Sequence, residues 1–212
     1  MTLSHSLILL LLAYLLGSLP IGLLVGRMVK NIDVRDFGSG NIGASNVWRT
    51  MGPLWGTAVF LFDFGKGYLP TVMTVQMADR QPGLSPWLPV AVGLAAILGH
   101  NFSPFLRFKG GKGVATSLGV VFGIAPLAAL GGFAVWGICL AVTRYISLSS
   151  IIAALVTSVI LVVVFHDLPH TLFALLVAGF VVFKHRPNIA RLQAGTEPKI
   201  KTRLKSSTEV NS

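Results

Sequence analysis

Along this chain, long stretches almost free of charge alternate with short stretches crowded with glycine, asparagine and base. The apolar runs lie at 6–25, 53–77, 86–102, 114–124, 126–143, 149–165 and 170–184. Most approach the ~20 residues a helix needs to cross a bilayer. The pattern predicts an all-α integral membrane protein with about seven transmembrane helices, provided that 113–143 folds as a hairpin. That stretch exceeds one crossing and falls short of two ideal ones.

Charge decides the hairpin. A single crossing there would put Lys184, Arg186, Arg191, Lys199, Lys201, Arg203 and Lys205 on the outer side, against the positive-inside rule. With two crossings, that block joins Arg27, Lys30, Arg35, Arg49, Arg107, Lys109, Lys112 and Arg144 on the cytoplasmic face, 15 of the 17 Lys and Arg. Arg80 falls in an outer loop and Lys66 inside a span. The short segment 114–124 must then be a tilted or thinned element packed within the bundle.

Composition agrees. With 212 residues, 53% of them hydrophobic and only 11% charged, and a mean hydropathy of +0.76, the chain lacks the polar surface to cover a soluble globule. The first run has no base before it and no small-residue cleavage pattern after it; Arg27 and Lys30 follow instead. It reads as an uncleaved anchor with the N-terminus outside and the C-terminus cytoplasmic. We expect one polytopic membrane domain over 1–197 and a flexible basic cytoplasmic tail over 198–212, close to anionic lipid. The single cysteine, Cys139, forms no disulfide and reads as a small buried hydrophobe.

Three polar islands carry the candidate chemistry: GSGNIGASNVWR at 38–49, FKGGKGVAT at 108–116 and HRPNIARLQAGTE at 185–197. Basic loops serve topology in any membrane protein, so charge alone implies no site. Here Gly38, Ser39, Gly40, Asn41, Gly43, Ser45 and Asn46 combine backbone freedom with hydrogen-bonding side chains and end in Arg49. Such a loop can turn several N–H groups toward one anion. In the second island Lys109 and Lys112 flank Gly110 and Gly111, with Gly113 directly before a run opening Val114-Ala115-Thr116-Ser117. If that run starts a helix, its free N–H groups and positive end face the same place as the ammonium groups. In the third island the spacing of His185, Asn188 and Arg191 puts them on one helical face.

Some motifs are only formal. Gly38, Gly40 and Gly43 match GxGxxG, but DVRDF precedes them rather than a strand, and no dinucleotide fold follows. Residues 110–113 lack the first glycine and the Ser/Thr of a phosphate-binding P-loop. His166 and His170 flank Asp167 in an outer loop with no further ligand, so no metal site and no cofactor are expected. His100, at a span end, reads as an interfacial or hydrogen-bonded residue, and Trp48 and Trp87 as interface anchors. Asp63 and Lys66, i,i+3 within a span, read as a mutual pair toward the bundle interior, each costly alone in lipid.

In this order and spacing the three islands resemble the motifs of the PlsY family, the bacterial acyl-phosphate:glycerol-3-phosphate acyltransferases. The second motif extends back to GHNFSPFLRFKGGKGVAT. Ser45 stands where the family usually has Thr, and Pro187 where an acidic or polar residue is common. The resemblance implies transfer of a fatty acyl group from acyl phosphate to the 1-hydroxyl of sn-glycerol 3-phosphate, giving lysophosphatidic acid and phosphate in phospholipid biosynthesis. Carried over residue by residue, it implies Ser39, Arg49, His185 and Asn188 as catalytic. Gly38, Gly40, Asn41, Gly43, Asn46, Lys109, Gly110, Gly111, Lys112 and Gly113 bind substrate phosphate, and Glu197 supports the third motif. It further implies a multi-pass protein of the bacterial inner membrane with its site facing the cytoplasm. The partners are then glycerol 3-phosphate, acyl phosphate and membrane lipid, with no nucleic acid, and the chain is a monomer. The rival reading is a transporter of a phosphorylated metabolite or anion; against it, the charges gather at one face rather than at the midplane.

Overall fold

The computed structural model describes residues 3–81 and 83–200. Within these residues the fold is built of helices: α1 (Leu3–Ser18), α2 (Ile21–Lys30), α3 (Ala44–Met51), α4 (Pro53–Arg80), α5 (Trp87–Asn101), α6 (Val114–Ile124), α7 (Pro126–Thr143), α8 (Ile146–Phe165), α9 (Leu168–Lys184) and α10 (Arg186–Gln193). Every apolar run of the sequence is helical. Spans long and apolar enough to cross a membrane are Leu3–Lys30, Trp87–Leu106, Pro126–Thr143 and Ile146–Phe165, with α9 and α10 a further candidate bent by 57°. Leucines and valines on α1, α4, α7, α8 and α9 remain exposed, for example Leu7, Leu61, Val142 and Val163. In water such surfaces would associate; in lipid they are solvated.

The hairpin resolves unequally. α7 has 18 residues, but α6 has 11, about 16 Å of helix and roughly half the hydrocarbon thickness. α6 is instead packed inside the bundle against α4, where Gly67 lies on the Thr116 backbone and Gly119 on the Phe64 carbonyl. Small residues let these backbones approach closely, the usual means of helix association where hydrophobicity gives no drive. The main core joins α5, α6, α8 and α9 around Ile97, Val120, Leu161 and Phe173.

Two breaks place the polar islands. The first run, expected as one continuous helix, is interrupted after Ser18 because Pro20 has no N–H to continue the ladder. Two carbonyls at the break find side-chain donors: Ser103 Oγ donates to Ser18 O at 2.7 Å and Lys66 Nζ to Leu19 O at 3.0 Å. The second break lies at His185, where Pro187 in the first turn of α10 prevents continuation of α9. The expected flexible tail is corrected at its start. Pro198 O accepts from Arg49, Lys199 lies over the Tyr145 ring, and Ile200 N donates to Arg144 O, so 198–200 are docked to the body. The remainder of that tail, 201–212, lies outside the described residues.

Candidate active site

The three islands converge on one cavity of about 460 Å³. Ser39, Asn41, Gly43 and Arg49 reach it from the first island, Lys112 and Gly113 from the second, and His185, Asn188 and Glu197 from the third. Beyond this polar mouth the wall becomes apolar, with Phe60, Leu118, Val121, Phe133, Trp136, Leu140 and Phe173. On α8 the lining residues Ser147, Ser150, Ala154, Thr157 and Leu161 recur at helical spacing, so the shaft follows that helix for about 21 Å at 1.5 Å per residue.

The first island is held by its own asparagine. Asn46 is fully buried; its Oδ1 accepts from Ser39 N at 2.7 Å and Ser39 Oγ at 3.2 Å, and its Nδ2 donates to Val34 O and Asn41 O. All of that amide is spent on the loop, so Asn46 presents Ser39 to the cavity rather than reaching the cavity itself. Gly38 and Gly40 adopt positive φ, 60° and 67°, and stand outside the lining; they turn the chain around the amide. Arg49, on the last turn of α3, is partly buried, and burial lowers its pKa while Glu197 opposes the shift.

In the second island, Gly111 N donates to His100 O at 3.0 Å and Gly110 N to Asn101 O at 3.2 Å. A side chain at Gly110 would meet the His100 carbonyl, at Gly111 the His100 ring, and at Gly113 the Asn101 amide. Gly110 and Gly111 thus seat the loop against the end of α5 and lie outside the cavity lining. Lys109 is exposed and also outside. Lys112 points inward, donating to Asn188 Oδ1 at 2.5 Å, and burial pushes it down to about 8, with Glu197 raising it and Arg191 and Arg49 lowering it. Behind it the first turn of α6 lines the cavity.

The third island is organised by Glu197. Its Oε1 accepts from Ser147 Oγ at 2.6 Å and Asn188 Nδ2 at 2.7 Å, and its Oε2 from Arg191 Nε at 2.7 Å. Burial would raise this carboxyl, but those hydrogen bonds hold it below its usual range. His185 is buried; Nδ1 lies 2.7 Å from Val181 O, and because a carbonyl can only accept, Nδ1 carries the proton and Nε2 is left as an acceptor. Burial first, then the Lys112 charge, lowers His185 to about 4.

Several lining residues were not among the sequence candidates. Ser147 and Ser150 stand on α8, and Trp136 Nε1 donates to Ser150 Oγ at 3.3 Å. The serine cluster at 147–150 beside Arg144 was the available signal. Asp63 and His100 also line the cavity: Asp63 pairs with Lys66 at 2.7 Å, as their spacing suggested, and His100 Nδ1 lies 3.6 Å from Asp63. At the turn between α8 and α9, by contrast, Asp167 caps α9 by accepting from His170 N, and the His170 ring stacks on Phe165.

A family model described as glycerol-3-phosphate acyltransferase matches residues 7–195. A protein of that name from Trichlorobacter lovleyi is 50% identical over 189 residues, covering 89% of this chain and 94% of its own. Another, from Gloeobacter violaceus, is 47% identical over 188 residues, covering 89% and 91%. Among solved structures, the glycerol 3-phosphate form of PlsY, an integral membrane glycerol 3-phosphate acyltransferase, superposes with a TM-score of 0.88 at 40% identity, covering 93% of this chain and 96% of the other. Its lysophosphatidic acid form matches with a TM-score of 0.84 at 41% identity and the same coverage.

Proposed function

This chain belongs to the glycerol-3-phosphate acyltransferase family, and from that premise we propose that its cavity joins a fatty acyl group, taken from acyl phosphate, to the 1-hydroxyl of sn-glycerol 3-phosphate. The products are lysophosphatidic acid, an early intermediate of phospholipid synthesis, and inorganic phosphate. The observation that carries the reading is the union of a cationic mouth with an apolar shaft in one cavity. An acyl phosphate has the matching two ends, an anionic phosphate and an apolar chain.

Arg49 and Lys112 hold the phosphates of the two substrates, and Arg49 can do so with two parallel hydrogen bonds. The Ser39 hydroxyl, turning its proton from Asn46 Oδ1 to the ligand, and the N–H groups of the first α6 turn add neutral donors, which spread over the phosphate and over the oxyanion as it develops. The acyl chain lies along α8. Attack needs no covalent enzyme intermediate, because the acyl group arrives activated as a mixed anhydride. The C1 hydroxyl oxygen bonds to the acyl carbon, the resulting oxyanion collapses, and the carbon–oxygen bond to phosphate breaks. The hydroxyl proton leaves with the departing phosphate. His185, lowered to about 4, is a weak base: its Nε2 orients the hydroxyl by accepting its hydrogen bond in the bound state, and the proton passes from that bond to the departing phosphate, the stronger base. Catalysis is then mostly the holding of two anions in line despite their repulsion.

The protein works as a monomer with about seven crossings, the N-terminus outside and the mouth on the cytoplasmic face of the inner membrane. The clustering of base around the islands supports that orientation. The test is turnover of the lipid-reconstituted protein on glycerol 3-phosphate with palmitoyl phosphate or palmitoyl-CoA. Lysophosphatidic acid and phosphate from the first donor alone, lost by 100-fold or so in Ser39→Ala and Arg49→Ala, is expected. Product from palmitoyl-CoA alone would reject the donor, and product from neither would reject the enzyme reading in favour of transport.

A further inference from the structure

Beneath the mouth lies a polar cluster that the proposed chemistry does not use. Asp63 and Lys66 on α4 and His100 on α5 are each at most 5% exposed, yet Asp63 and His100 line the cavity. Lys66 is committed on two sides, to Asp63 at 2.7 Å and to Leu19 O at the Pro20 break at 3.0 Å. This ties α4 to the α1–α2 junction. His100 is committed differently. Its Nδ1 faces Asp63 at 3.6 Å without a hydrogen-bond partner, while the Nε2 side of the ring lies where a side chain at Gly111 would stand. Its own carbonyl accepts from Gly111 N. One residue thus touches the loop of the second island with both ring and backbone, and the loop's next residue is Lys112.

We propose that His100, steadied by the Asp63–Lys66 pair, is a positioning residue that seats the 110–113 loop so that Lys112 faces the substrate phosphate. The inference rests on the reading of Lys112 as a phosphate ligand. A displaced ammonium weakens binding of ground state and transition state alike, so loss of the seat raises KM for glycerol 3-phosphate more than it lowers kcat. A residue that merely supported the fold would lower the amount of active protein and leave KM unchanged.

The ring and the missing side chain at 111 share one space, which gives the test its form. KM and kcat for glycerol 3-phosphate are measured on lipid-reconstituted wild type, His100→Ala, Gly111→Ala and the double variant, each with its unfolding temperature. Each single change is expected to raise KM about tenfold with kcat within about threefold, and the double to be no worse than Gly111→Ala, because the added methyl enters the room the imidazole leaves. If His100→Ala is not recovered folded, His100→Gln is expected to raise KM in the same sense, and its failure to do so overturns the proposal. An unchanged KM in His100→Ala, a fall in kcat alone, or effects that multiply in the double variant would also overturn it. A wild type without any acyltransferase activity would instead reject the reading of Lys112 on which it rests.

Discussion

Two buried carboxylates stand at the two levels of the cavity, and they are satisfied differently. Glu197 at the mouth receives hydrogen bonds from Ser147, Asn188 and Arg191, so both of its oxygens are occupied. Asp63, deeper, has Lys66 at ion-pair distance and His100 at 3.6 Å, beyond hydrogen-bond range, and its Oδ1 has no aligned donor. A saturated carboxylate fixes geometry, and Glu197 fixes Asn188, whose own Oδ1 takes Lys112. A paired but unsaturated one leaves polarity facing the cavity while its charge is cancelled from behind. The mouth is therefore a hydrogen-bonded frame that holds the Lys112 charge, and the lower cluster a neutralised platform under a loop.

The largest effect is expected from unbalancing the lower level. Asp63→Ala leaves Lys66 buried without a counter-ion and should cost about 3–5 kcal/mol, whereas the double change Asp63→Ala with Lys66→Met should recover most of it. Thermal unfolding in a mild detergent reads both, and equal destabilisation by the two would show that the pair matters by shape rather than charge. Glu197→Gln is milder. It keeps an acceptor for Ser147 but gives up the charge opposite Arg191, at about 1–2 kcal/mol, because Arg191 is itself 37% exposed and partly screened. Activity should fall more than stability does, since Asn188 and Lys112 follow Glu197.

The smallest structural change separates the two lysines of the second island. Lys112→Ala should raise KM for glycerol 3-phosphate at least tenfold, and Lys109→Ala by less than about twofold, because only the first faces the cavity. Wild-type kcat/KM should fall as pH rises through about 8, where the free Lys112 ammonium is lost. Stability moves the opposite way: the unfolded lysine, at its ordinary 10.5, binds more protons than the folded one between 8 and 10.5, so folding of the unliganded protein is favoured as pH rises there. His185 is already neutral above about 4, so no acid limb from it should appear between pH 5.5 and 7. A rate falling below pH 6.5 more steeply than the titration of the substrates' own phosphates, with a second pKa of about 6, would contradict that assignment.

Much of this was legible in the sequence because lipid is a strict solvent. Each apolar run became helical, the first in two pieces, and the i,i+3 spacing of Asp63 and Lys66 became an ion pair. The three islands were visible as chemistry because glycine, asparagine and base rarely crowd together without cause. What each member does was not visible. Glycine reads the same whether it approaches a phosphate or a neighbouring backbone, and Gly110 and Gly111 do the second. Asn46 reads as a ligand, yet spends its amide on its own loop. The role of Ser147 depends on Glu197, fifty positions away, and such pairings follow from packing rather than from local pattern. The shortness of α6 became intelligible only with α4 lying against it, which buries the half-span away from lipid.

The central claim is that one cavity holds the phosphate at its mouth and the acyl chain in its shaft. Ala154 lines that shaft on α8, below Ser147 and Ser150. In lipid-reconstituted Ala154→Phe, turnover of palmitoyl phosphate should fall at least tenfold while octanoyl phosphate, which ends above the added ring, stays within about threefold of wild type. Equal loss on both donors, or no loss on either, would contradict the account by placing the acyl chain elsewhere.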